Sequence, residues 1–86
     1  MKILTKKDIK EFTLGIEHGC FMWKVKLLDN KIYQIKYRIE EHFTSKGKKS
    51  KRKVYFIIKE KEKMLFNEEV KKCFFAFRRP YLISGI

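Results

Sequence analysis

The chain has 86 residues and a formal net charge of +12, from 22 Lys plus Arg against 10 Asp plus Glu. Its hydrophobic fraction of 44% and aromatic fraction of 15% exclude wholesale disorder, and its length allows a single domain, residues 1–86, with one modest core. Cys20 and Cys73 stand far apart with no CxxC, which argues against a disulfide-stapled secreted scaffold and for reduced thiols.

The opening stretch, residues 1–8, lacks the apolar run of a signal peptide. No stretch approaches the roughly 20 apolar residues of a membrane span. The expectation is a cytoplasmic protein. A helix is predicted from about Lys6 to Thr13. Thr5 is a good N-cap, Asp8 completes a capping-box-like pair, and Leu4 with Ile9 suits a hydrophobic staple. Ile9, Phe12 and Ile16 share a helical face by spacing.

Two strands follow. Over 21–28, Trp23, Val25 and Leu27 alternate with Met22, Lys24 and Lys26; over 32–43, Tyr33, Ile35, Tyr37 and Ile39 alternate with Gln34, Lys36, Arg38 and Glu40. A two-residue turn at Asp29-Asn30 would put Gln34 and Lys36 on the Trp23 face. A three-residue loop, 29–31, pairs Leu27 with Tyr33, Val25 with Ile35 and Trp23 with Tyr37, so every apolar residue falls on one side. The hydrophobic pattern selects that register and assigns the left-handed conformation to Asn30 or Lys31.

The segment 44–53 holds six positive charges, no acid and no apolar residue, and is predicted to be a flexible basic loop. A third strand runs over 54–59, with Val54, Phe56 and Ile58 on the core face and Tyr55, Ile57 and Lys59 on the other. Residues 59–63 form a mixed-charge turn or strand extension. A helix over 68–78 is capped by Asn67 and buries Val70, Cys73, Phe74 and Phe77; Glu68, Glu69, Arg78 and Arg79 suit its dipole. Pro80 stops it, and the apolar tail, 81–86, docks on something.

The expected fold class is α+β in the order α-β-β-β-α. A three-stranded antiparallel sheet carries the C-terminal helix on its apolar face. The opposite face then holds Lys24, Lys26, Gln34, Lys36, Arg38, Tyr55 and Lys59, with Lys24 directly across from Lys36. Like charges placed so are destabilising, which suggests a negative partner. The loop adds Lys46, Lys48, Lys49, Lys51, Arg52 and Lys53. Lys and Arg hold phosphates, Gln34 and Arg38 are able to read base edges, and Tyr55 is able to stack on a base. The expectation is a non-enzymatic nucleic-acid-binding protein, DNA ahead of RNA. A Lys-rich face also serves plain solubility and edge protection.

Phe75 falls about 100° off the Phe74 stripe. With the 81–86 tail it marks a homodimer or protein-partner surface, and hence the alternative: a small mobile-element or phage-type protein that binds and inhibits a host protein or nucleoprotein complex. His18, Cys20, His42 and Cys73 match no zinc spacing. His42 beside Glu40 and Glu41 has no fixed geometry for a nuclease base, and the glycines form no phosphate loop. No metal, cofactor or catalytic residue is expected.

The α-β-β-β-α order is similar to that of the double-stranded-RNA-binding domain. That family carries a Gly-Pro-x-His loop where this chain has Asp29-Asn30-Lys31, and a lysine cluster where the last helix here begins Glu68-Glu69, so its binding residues are not transferred. The β-β-β-α portion resembles domains that lay a three-stranded sheet in the DNA major groove, which the basic face suits better.

Overall fold

The computed structural model describes residues 2–83, with side chains through residue 80. In chain order it has β1 (Lys2–Leu4), a 3₁₀ turn (Lys6–Asp8), β2 (Ile9–Glu17), β3 (Cys20–Leu27), β4 (Ile32–Gln34), β5 (Lys36–Phe43), β6 (Lys49–Lys59), β7 (Glu62–Phe66) and α1 (Glu68–Ile83). The strands form two sheets, a four-stranded one in the order β1-β7-β6-β5 and a three-stranded one, β2-β3-β4. The fold is α+β, but the expected single sheet is replaced by two.

The predicted N-terminal helix does not form. Its cap does: the Thr5 backbone N–H and hydroxyl both donate to the Asp8 carboxylate, each at 3.0 Å. That bond closes only the 3₁₀ turn. From Ile9 the chain is extended, because Phe12, Leu14 and Ile16 alternate with Glu11, Thr13 and Gly15, a period of two that competes with the helical spacing. A two-residue turn with positive φ at His18 (52°) and Gly19 (78°) folds β2 back on β3.

The β3–β4 register differs from the expected one by two residues. Val25 lies opposite Tyr33 and Lys24 opposite Gln34, and the Leu27 N–H donates to the Lys31 carbonyl at 3.1 Å. A shift of two preserves which side chains share a face, so the apolar side stays intact. The loop residues become Leu28 to Asn30, and Asn30 takes the left-handed conformation at φ 65°. Asp29 fastens this loop by accepting from the Lys31 N–H (2.8 Å) and the Tyr33 hydroxyl (2.7 Å).

The strand predicted over 32–43 is broken at Ile35. Its N–H still donates to the Trp23 carbonyl at 2.8 Å, after which the chain leaves the three-stranded sheet and enters the other as β5. There it pairs with β6 from Lys36 opposite Phe56 to Phe43 opposite Lys49. The flexible loop expected at 44–53 shrinks to a tight turn: the Thr44 N–H donates to the Lys48 carbonyl (2.9 Å) and Gly47 takes φ 77°. Lys49, Lys51, Arg52 and Lys53 belong to β6. Charged residues build a strand here because the ribbon is open to water on both faces and sets Glu40 opposite Arg52 and Glu41 opposite Lys51.

This pairing reverses the expected faces of β6. Tyr55 and Ile57 turn into the core, while Val54, Phe56 and Ile58 take the other face, where Phe56 stays buried with the Lys63 ammonium 4.6 Å from its ring centre. The core gathers Leu4, Val25, Leu27, Tyr55, Ile57, Phe66, Val70 and Phe74 from both sheets and the helix. β7 turns back from β6 through Glu60 and Lys61, both at positive φ, and pairs on its far side with β1 in parallel. The Asn67 side chain caps α1, accepting from the Val70 N–H at 2.8 Å. Phe74 sets its ring 5.4–6.1 Å from those of Phe12, Trp23, Tyr55 and Phe66, bridging the sheets. Pro80 does not end the helix, which runs on to Ile83; a proline in the last turns forfeits only a local bond. The side chains of the tail expected to dock, 81–86, lie outside the described residues. No helix among the described residues is long and apolar enough to cross a membrane.

Candidate nucleic-acid interface

Residues directly opposite in an antiparallel pair share a face. One face of the β5–β6 ribbon therefore carries Tyr37 with Tyr55, Ile39 with Lys53, Glu41 with Lys51, and Phe43 with Lys49. This inner face is continuous with the core, since Tyr55 lies in it. Beyond the core the ribbon becomes an arm whose apolar side chains meet water: Tyr37 is 55% exposed, Ile39 59% and Phe43 71%. Lys49, Lys51 and Lys53 alternate with them, and Lys46 and Lys48 stand at the exposed tip. The Lys53 ammonium sits 4.7 Å from the centre of the Tyr37 ring, a cation–π contact that holds both groups.

The arm's outer face is different. Arg38 pairs with Glu40 at 2.8 Å, and Arg52 approaches the same carboxylate at 3.9 Å. Lys36 lies on this side too, opposite Phe56. The positive charge of Arg38 and Arg52 is thus answered within the ribbon.

The expected basic sheet face is split. Lys24, Lys26 and Gln34 share the outer face of the three-stranded sheet, whereas Lys36 and Arg38 lie on the outer face of the other sheet, with the core between. The turn at Ile35 is the cause. Lys24 does not face Lys36; it lies opposite Thr13 and Gln34 and reaches Glu17 at 3.7 Å. Lys26 lies opposite Glu11. Tyr55, expected to be exposed, is 6% exposed. Lys59 sits 3.6 Å from Asp29 at the other end of the molecule. There the Tyr33 hydroxyl bond, and next the Lys31 N–H, hold the Asp29 carboxyl below its ordinary range. The same bond pushes the Tyr33 phenol up to about 12.

Of the predicted residues, the arm brings together Lys46, Lys48, Lys49, Lys51 and Lys53. Tyr37, Ile39 and Phe43 were not expected at the surface, and Arg78 was assigned only to the helix dipole. The available signal was the lysine at every second residue from 49 to 53, the period of a strand rather than a loop.

At the arm's root, between the sheets and α1, lies a cavity of about 360 Å³ whose walls include Trp23, Gln34, Tyr37, Lys53, Tyr55 and Arg78. The Arg78 guanidinium lies 5.1 Å from the Phe74 ring centre and 5.5 Å from that of Trp23, and its Nη1 donates to the Tyr55 hydroxyl at 3.1 Å. A second cavity, about 190 Å³, has Glu40, Glu68, Arg52 and Lys71 in its walls, acids and bases together. Among the described residues no group of three or more His, Cys, Asp or Glu side chains is placed to hold a metal ion. No protein family, curated protein or solved structure matches the chain.

Proposed function

We propose that this protein binds nucleic acid without catalysis, through the inner face and tip of the β5–β6 arm. The observation that carries this reading is the sharing of one ribbon face by Lys49, Lys51 and Lys53 with water-exposed Tyr37, Ile39 and Phe43. Ammonium groups hold phosphates, and flat or apolar side chains lie against sugars and bases. A two-stranded ribbon fits the major groove of B-form DNA, whereas the deep, narrow groove of A-form RNA does not admit it, which puts DNA ahead of RNA.

The test is a binding panel of duplex DNA, single-stranded DNA and duplex RNA across a salt series. With about five lysines engaged, log K is expected to fall against log salt with a slope between about −3 and −5. Duplex RNA is expected to bind weakest. A slope near zero, or no binding to any of the three at low salt, sinks the proposal.

A second reading, a protein partner or homodimer, is favoured by Phe75, which is 41% exposed although its ring lies 5.5 Å from that of Tyr55. Such a partner belongs to the alternative of a phage-type or mobile-element inhibitor of a host complex. Sedimentation that stays monomeric at high concentration, together with a Phe75→Ser variant of unchanged behaviour, removes it.

A further inference from the structure

Resting on the nucleic-acid reading, we propose that the cavity at the root of the arm receives one unpaired nucleotide, its phosphate on Arg78 and Lys53 and its base against Tyr37. The volume of about 360 Å³ lies within the range of small-ligand sites.

The walls carry two cations and no acid. Among the described residues neither Arg78 nor Lys53 forms an ion pair with a carboxylate, although the arm's arginines, Arg38 and Arg52, do. The Arg78 Nε is buried with no hydrogen-bond partner. Its guanidinium is packed among the rings of Trp23, Phe74 and Phe75, with only the Tyr55 hydroxyl accepting from it. A half-buried guanidinium with a buried N–H unused is better satisfied once an anion arrives. A planar fork of donors is matched to a phosphate.

Tyr37 supplies the second half of the ligand. Its ring is contacted by Lys53 and Tyr55, yet the residue is 55% exposed at the cavity wall. That leaves a surface for a base. A base inside a duplex is stacked and paired and does not reach such a wall. The ligand is therefore a nucleotide in a single-stranded stretch, adjoining the strand that the arm holds.

Trp23 is the one tryptophan of the chain and lines this cavity, so its fluorescence reports occupancy. The full chain is titrated with a single-stranded oligonucleotide, a blunt duplex of the same length and inorganic phosphate. The single strand is expected to quench Trp23 and to bind about tenfold or more tightly than in the Tyr37→Ala variant, with the salt slope of that variant unchanged. Arg78→Gln is expected to weaken single-strand binding and Arg78→Lys to restore part of it. Should Arg78→Gln fail to fold, the exposed Tyr37 carries the test. Salt-dependent binding with Trp23 unaltered by the single strand overturns this proposal and leaves the arm reading standing. Absence of all binding overturns both. Inorganic phosphate competing as well as the oligonucleotide, at equal phosphate concentration, means an adventitious anion only and also overturns it.

Discussion

At the scale of single residues, the best-defined polar contact is the one between Tyr33 and Asp29. The phenol is raised to about 12 from 10.0 because its hydroxyl donates to the carboxylate. A group raised on folding contributes stability that is fully present below its unfolded value and is lost as pH rises through the folded one. The contribution of Tyr33 is therefore constant up to about pH 10 and fades between about 10 and 12. Asp29 is lowered, so its own contribution holds above its ordinary 3.8 and is lost as acid protonates it in the folded state. Asp29→Asn is expected to return one tyrosine to ordinary titration, seen as phenolate absorbance developing at lower pH than in the parent. An unchanged titration curve contradicts the contact. Phe74, 1% exposed and ringed by aromatics of both sheets, is the residue whose truncation costs most. Phe74→Ala is expected to remove about 3–5 kcal/mol in urea unfolding, against about 0.5 kcal/mol or less for an exposed helix position such as Lys72→Ala.

At the scale of elements, the legible parts were those where one period dominates. β3 alternates cleanly, and its apolar side survives a register shift of two because parity is indifferent to it. The α1 start was legible because Asn67 is followed by two acids and then by Val70 and Phe74 at helical spacing. Asn67→Ala is expected to cost about 1 kcal/mol, measured by denaturant midpoint at constant m-value. The misread elements had competing signals. Ile9, Phe12 and Ile16 satisfy a helical face, while Phe12, Leu14 and Ile16 satisfy a strand; the hairpin to β3 decided for the strand. Met64-Leu65-Phe66 shows no alternation because both faces of β7 are at least half-covered, Met64 and Phe66 against the core and Leu65 beside Ile3 and Val54. The basic run of β6 looked like a loop because it has no apolar residue. Its cross-strand partners Glu40 and Glu41 lie in a different segment, so only the paired structure reveals the strand. The candidate site was accordingly half legible: the lysines were visible, but their apolar neighbours had been assigned to a core that stops short of them.

At the scale of the whole molecule, the charge is uneven in a way that net counting hides. The outer face of the three-stranded sheet sets Lys24 and Lys26 against Glu17 and Glu11, whereas the arm's inner face sets Lys49, Lys51 and Lys53 against Glu41 alone. Replacing Lys49, Lys51 and Lys53 by Gln is expected to reduce the magnitude of the log K against log salt slope by about 2 to 3. Replacing Lys24 and Lys26 by Gln is expected to change it by less than about 1. The reverse ranking, in the same titration, identifies the sheet face rather than the arm as the contact surface. A radius of gyration of 14.3 Å, above the roughly 12 Å of a compact chain of this length, agrees with an arm standing clear of the core.

The parallel ladder of Lys2–Leu4 against Met64–Phe66 has a kinetic consequence. Leu4 is wholly enclosed, and its carbonyl accepts from the Asn67 N–H at 3.2 Å; neither the ladder nor this bond forms until the chain has been synthesised past Asn67. The four antiparallel hairpins are local and able to assemble early, but the long loop closure that seats Leu4 must come late, placing refolding in about the millisecond-to-second range of non-local topologies. Leu4→Ala is then expected to accelerate unfolding while leaving the refolding rate nearly untouched, a pattern that stopped-flow mixing resolves directly.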